Sequence, residues 1–180
     1  MATPPDLIGS IDSLDPAFWS GVAYRHTART VPPLSAAGAK AFGGRWNPRD
    51  LFGAVYIAVP VEAAVEEFRR MAEGQARGAA SFLPRDLHTV RVQPIQVLDL
   101  TNPTTVASLG LTYEELAMED RSLCQEIAQA AHFLGYQGII APSATGIGDV
   151  IAVFDDRISL MELEVIETNE LSSMLLPEEL

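Results

Sequence analysis

Glu66 and Glu67 stand side by side in "PVEAAVEEFRRMAEGQARG", and helical geometry assigns them different work. Glu66 has Glu62 four residues before it and Arg70 four after, the spacing of a solvated, salt-paired face. Glu67 has Ala63, Ala64 and Met71 three and four residues away, so it falls on the apolar stripe that packs inward. A carboxylate in that position needs a cationic partner, a ligand or a raised pKa, because an unpaired buried charge is costly. On the residues alone, an ion pair with Arg25 or Arg45 and a place in an active site both stay open.

Two further groups carry chemistry. "FGGRWNP", residues 42–48, places two glycines before Arg45, Trp46, Asn47 and Pro48. It reads as a turn, or as a backbone that lets an anion approach while Arg45 offers a planar fork for phosphate or carboxylate. Tyr56 alternates with Val55 and Ile57 and so faces away from them, as a core tyrosine with its hydroxyl at the rim or as a platform for a ligand ring. In "GVAYRHT", residues 21–27, Val22, Tyr24 and His26 share one face and Arg25 takes the other. His88 shares a face with Val90 and Val92 and is assigned to structure. "PSATG", residues 142–146, offers Ser143 and Thr145 as donors in a small loop.

These residues need elements to hold them. Strands are expected over 21–27 and 53–59, a helix from Pro60 to Gly74 or Gly78, and one or two strands over "LHTVRVQPIQVLDLT" with Pro94 at an edge or bulge. "TYEELAMEDRSLCQEIAQAAHFLG" holds a helix on which Leu123, Ile127, Ala130, Ala131 and Leu134 recur, capped by Gly135. "GIIAPS" and "DVIAVF" read as short buried strands, and the tail "LSSMLLPEEL" is apolar enough to dock back. Residues 1–15 are expected as a loosely held arm before a single domain over 16–180.

The 180 residues, 48% hydrophobic and 20% charged, suffice for one globular core without staples. The single cysteine, Cys124, excludes an internal disulfide framework and fits a reducing cytoplasm, and the scattered His26, His88 and His132 show no metal-ligand spacing. A net charge of −12 disfavours direct DNA contact. Arg25, Arg29, Lys40, Arg45 and Arg49 nevertheless gather within residues 25–49, which suits a cleft for a small anion. No signal peptide and no membrane-spanning run is read, so a cytoplasmic chain is expected.

Taken in order, "YRHT", "FGGRWNP", "AVYIA", "AAVEEF" and "GYQGIIAPSA" resemble the RES-domain family, toxins of bacterial toxin–antitoxin pairs. The resemblance implies an α+β fold similar to ADP-ribosyltransferases: a single compact domain with a central, mostly antiparallel sheet flanked by helices. It also implies NAD+ as substrate, with no prosthetic group and no metal. Some members release nicotinamide and pass ADP-ribose to phosphate or water. Others modify a protein such as the enzyme that makes phosphoribosyl pyrophosphate. By the resemblance, Glu67, Arg25 and Tyr56 form the expected catalytic set, and Arg45 and Ser143 bind substrate. His26 and Asn47 complete the expected substrate-binding residues, although a lone strand histidine is more often structural. A cognate Xre-type antitoxin, blocking the cleft in a hetero-oligomer, is the implied partner and would carry any DNA contact. The chain departs from many relatives after Ala144, where Thr145 stands in place of arginine. A nucleotide-binding module without chemistry and a purely structural subunit are the readings of other classes.

Overall fold

Alternation and apolar runs draw the chain into six strands and six α-helices, seen in a computed structural model that describes residues 6–73 and 75–180. In chain order these are α1 (Leu7–Asp12), β1 (Ala17–Ala28), α2 (Ala37–Phe42), β2 (Ala54–Val59), α3 (Val61–Glu73) and β3 (Arg85–Asp99). There follow α4 (Pro103–Ser108), α5 (Tyr113–Ala117), α6 (Ser122–Phe133), β4 (Gly138–Pro142), β5 (Asp149–Phe154) and β6 (Leu163–Glu170).

The strands run in the order β1-β2-β5-β4-β3-β6, and β1 also pairs with β3, so five of them close into a barrel-like sheet with β6 added to β3. Only β3 and β4 pair in parallel; the other pairings are antiparallel. The α+β architecture with a mostly antiparallel sheet is therefore as expected. The inner face is aliphatic, with Val55, Ile57, Val90, Ile95, Ile151 and Val153 in one cluster. On one outer side α6 buries Ile127, Ala128 and Ala131 with Leu98, Ile139 and Phe154. On another, α3 buries Ala63, Ala64 and Phe68 with Ala58 and Leu87, and the tail docks there through Leu171 and Leu175.

Several elements differ from the sequence reading for local reasons. Part of the expected N-terminal arm is α1, capped by the Asp6 side chain and anchored by buried Ile11, while residues 1–5 lie outside the described residues. β3 is one long strand. Gln93 and Pro94 face the single residue Ser20 of β1 there, a bulge that accommodates the missing proline N–H. The helix expected from Leu123 to Leu134 is α6, and a short α5, started by a Thr112–Glu115 capping box, precedes it. The end of α3 falls at Glu73; Gly74 lies outside the described residues.

Among the helices α3 matters most to the candidate site, because its apolar stripe fixes the rotation that carries Glu67. Phe68, fully buried, is the largest side chain of that stripe. Phe68→Ala is expected to cost about 3–5 kcal/mol of stability in urea unfolding.

Candidate active site

β1 and β2 pair at one register position, Tyr24 with Ala58, whereas β2 and β5 pair from Ala54–Phe154 to Val59–Asp149. A cavity of about 1070 Å³ opens at this thin seam, lined by Tyr24, Arg25 and His26 from β1 and by Tyr56, Ile57 and Ala58 from β2. Because the strands part, residues from both faces of β1 reach one space. Glu67 and Arg70 of α3, the turn Gly43–Trp46, and Glu119 and Arg121 before α6 complete most of the wall. The volume suits a ligand larger than a single nucleotide base.

The turn "FGGRWNP" is built around the Tyr56 hydroxyl. That oxygen accepts from the Trp46 backbone N–H at 2.9 Å and donates to Asn47 Oδ1 at 2.7 Å. Asn47 Nδ2 donates to Ala39 O (2.8 Å) and Phe52 O (3.2 Å), tying the turn to the start and end of its own loop. A side chain at Gly44 would collide with the Tyr56 hydroxyl and with Asn47 Oδ1, so residue 44 has to be glycine. From α6, Gln125 Nε2 donates to Gly44 O at 2.8 Å. Trp46 is buried in the α6-side core.

This geometry shows what two of the expected site residues already hold. The sequence reading places Asn47 among the substrate-binding residues, but it is fully buried, its amide is spent inside the protein, and it does not line the cavity. It holds the turn. Tyr56 presents its ring to the cavity, but its hydroxyl is committed to the turn, and burial, the largest effect, pushes its pKa well above the usual tyrosine range. Arg45 lines the cavity while its Nη1 donates to Leu116 O at 3.0 Å and Met118 O at 2.8 Å, so part of its fork fixes the end of α5.

Glu67 sits where the helix pattern puts it. Its partner is neither Arg25 nor Arg45 but Ser143, whose Oγ donates to Glu67 Oε1 at 2.7 Å. With the Ser143 proton used there, the 2.8 Å contact between Ser143 Oγ and Thr145 Oγ1 is donated by Thr145. The Ile147 N–H in turn donates to Thr145 Oγ1 at 3.3 Å. The chain of donors points one way and ends on the carboxylate, which it holds in place. Ser143, expected to touch substrate, is buried and is not part of the cavity wall, and its hydroxyl is engaged by Glu67. Gly148 has φ of 64°, and a Cβ there would strike Val59 O, so glycine lets this loop lie against the end of β2. Glu66 faces away and pairs with Arg69 at 3.2 Å rather than with Arg70. Arg70 meets the exposed Glu119 at 3.5 Å.

Arg25 donates through Nη2 to Ser35 O at 2.7 Å, while its Nη1 is buried in the cavity wall with no hydrogen-bond partner. Burial first, and then Arg85, lowers its pKa to about 10, so it remains a cation at neutral pH. A buried, unpaired guanidinium nitrogen beside a cavity calls for an anionic ligand. His26 borders the same space, with its ring edge-on to Phe68 at 5.6 Å. His88, as expected, is structural: its two nitrogens meet Thr27 Oγ1 (2.8 Å) and Thr168 Oγ1 (2.9 Å).

Sequence reasoning missed Arg121 and Glu119 on the cavity wall, and Gln125 behind the turn; neither composition nor spacing singles them out. A smaller depression of about 280 Å³ is lined by Arg69 and Glu179, which already pair with each other at 2.7 Å. Among the described residues no three His, Cys, Asp or Glu side chains gather as a metal-ligand set. No helix among them is long and apolar enough to cross a membrane.

The sheet is thus parted at one seam over a cavity that four arginines border, with the Glu67 carboxylate held in its wall. Residues 22–172 match the RES domain family, and the chain belongs to that family. It is 36% identical to the NAD(+) phosphorylase MbcT of Mycobacterium tuberculosis and of Mycobacterium bovis over 174 residues, 96% of this chain and 94% of the relative. Its fold is similar to a chain in the crystal structure of the M. tuberculosis MbcT–MbcA toxin–antitoxin complex, with a TM-score of 0.82 and 35% identity over 91% of each chain.

Tyr56→Phe keeps the ring in the cavity but strands the Trp46 N–H and Asn47 Oδ1. It is expected to lose about 1–3 kcal/mol in denaturant unfolding. An unchanged midpoint would show that the hydroxyl does not hold the turn.

Proposed function

We propose that the chain is a toxin of a bacterial toxin–antitoxin pair that cleaves NAD+ at the nicotinamide–ribose bond and passes ADP-ribose to inorganic phosphate, or to water in its absence. The observation that carries this reading is the pairing, in one cavity, of the oriented Glu67 carboxylate with the buried unpaired Nη1 of Arg25. The similarity to an NAD(+) phosphorylase over nearly the whole chain supports it.

The geometry suits the charges of that reaction. The nicotinamide ring of NAD+ is cationic and departs neutral, taking the electron pair of the C–N bond, so it needs no proton from the protein. The ribose carbon left behind becomes oxocarbenium-like, and a fixed carboxylate offsets that charge, as in glycoside hydrolysis. In this reading Glu67, which lines the cavity, takes this role and hydrogen-bonds the ribose hydroxyls. A phosphate oxygen then closes on the same carbon, giving ADP-ribose phosphate. Arg25 binds a phosphate group of the dinucleotide or of the acceptor, and the free part of Arg45 adds to it. The ring of Tyr56 orients the nicotinamide by contact rather than by proton transfer.

An antitoxin seated over the mouth is the proposed control. The solved relative is a toxin–antitoxin complex, and Phe42 lines this cavity with its ring exposed. We place an Xre-type antitoxin there, with any DNA contact carried by it. With one buried thiol and an NAD+ substrate, the proposed setting is the cytoplasm.

The test is nicotinamide release from NAD+ by the purified chain, with and without phosphate and with cell extract. Phosphate-dependent release is expected, with no labelled protein band. Glu67→Gln, folded by circular dichroism, is expected to lose about a hundredfold or more of that activity. Full activity in Glu67→Gln would remove the carboxylate from the mechanism, and label retained on one protein would make the chain a protein ADP-ribosyltransferase.

A further inference from the structure

We propose that Arg85 is a positioning residue that locks His26 as a neutral imidazole presenting its Nε2–H to the cavity, beside the Arg25 guanidinium that borders the same space. The proposal rests on the NAD+ reading only for the identity of the ligand.

The register of β1 and β3 sets the contact. His26 faces Leu87 and Ala28 faces Arg85, so Arg85 is the diagonal neighbour of His26 on the same sheet face. From there Arg85 Nε donates to His26 Nδ1 at 3.0 Å. A guanidinium is only a donor, so Nδ1 must offer its lone pair, and a neutral ring then carries its proton on Nε2. His26 Nε2 has no hydrogen-bond partner among the described residues, and it is not one of the buried side-chain atoms left without a partner. His26 borders the cavity, and the proposal directs this nitrogen there.

The surroundings keep the ring neutral. Arg25 on β1, Arg85 and His88 on β3 and the Phe68 ring on α3 are its neighbours, and no carboxylate among the described residues acts on it. Burial first, then Arg85, Arg25 and His88, hold its pKa down to about 3. Asp86, the nearby carboxylate, is engaged by Arg29 at 3.2 Å. His26 is thus a fixed donor rather than an acid or base near neutral pH. Arg85 does not line the cavity and acts through His26.

The test is nitrogen NMR of the histidine rings in the ¹⁵N-labelled chain, with steady-state NAD+ turnover beside it. In the native protein His26 is expected to show a protonated Nε2 and a bare Nδ1, without titration, from about pH 5 to 8. Arg85→Met is expected to mix the tautomers, move the titration upward and lower kcat/KM by about tenfold, with a new pH dependence. Arg85→Lys, which keeps a cation, should recover part of the loss. A native His26 protonated on Nδ1, which needs no variant to observe, would overturn the proposal. So would an Arg85→Met chain whose His26 tautomer and titration match the native ones. If the native chain consumes no NAD+, the functional reading fails, while the tautomer still decides this inference.

Discussion

The Tyr56 hydroxyl is the interaction on which the site depends. It sits on the central strand β2, accepts from the Trp46 N–H and donates to Asn47, and there is room for both bonds only because residue 44 is glycine. Asn47 carries the constraint onward to α2 and to the start of β2 through Ala39 O and Phe52 O. One phenol oxygen thereby fixes a loop that has no regular ladder of its own. The loop forms a wall of the cavity and aims Arg45 across to the end of α5.

Charge is distributed to match. The chain carries a net −12, yet Arg25, Arg45, Arg70 and Arg121 all border one cavity. Only Arg70 among these four pairs with a carboxylate, and that partner is exposed. Of the carboxylates on the same wall, Glu67 is the one held by a chain of donors, running from Ile147 through Thr145 and Ser143. Cations for phosphate and one anion for a ribosyl cation are the two needs of NAD+ cleavage. The loop after β4 contributes through Thr145, whose hydroxyl donates to Ser143.

Local geometry was legible in the sequence. The helical period alone separated Glu67 from Glu66, and strand alternation placed Tyr56 opposite Val55 and Ile57 and put Arg25 on the other face from His26. The family resemblance was legible too, since its motifs are spread over most of the chain. What escaped were roles set by partners distant in sequence. Asn47 and Ser143 have the side chains of ligand-binding residues, and only the meeting of the turn with β2, and of the loop after β4 with α3, commits them to hold Tyr56 and Glu67. Arg85 depends on the register between β1 and β3. Short capped helices such as α1 and α5 lack the length for a periodic signal.

The most direct measurement is a crystal structure of the chain with a non-cleavable NAD+ analogue. The expected result is a phosphate oxygen within about 3 Å of the Arg25 guanidinium, Nη1 having turned toward it, with the nicotinamide ribose against Glu67. A dinucleotide bound outside the cavity, or a ribose remote from Glu67 with Nη1 still unpaired, would contradict the assignment.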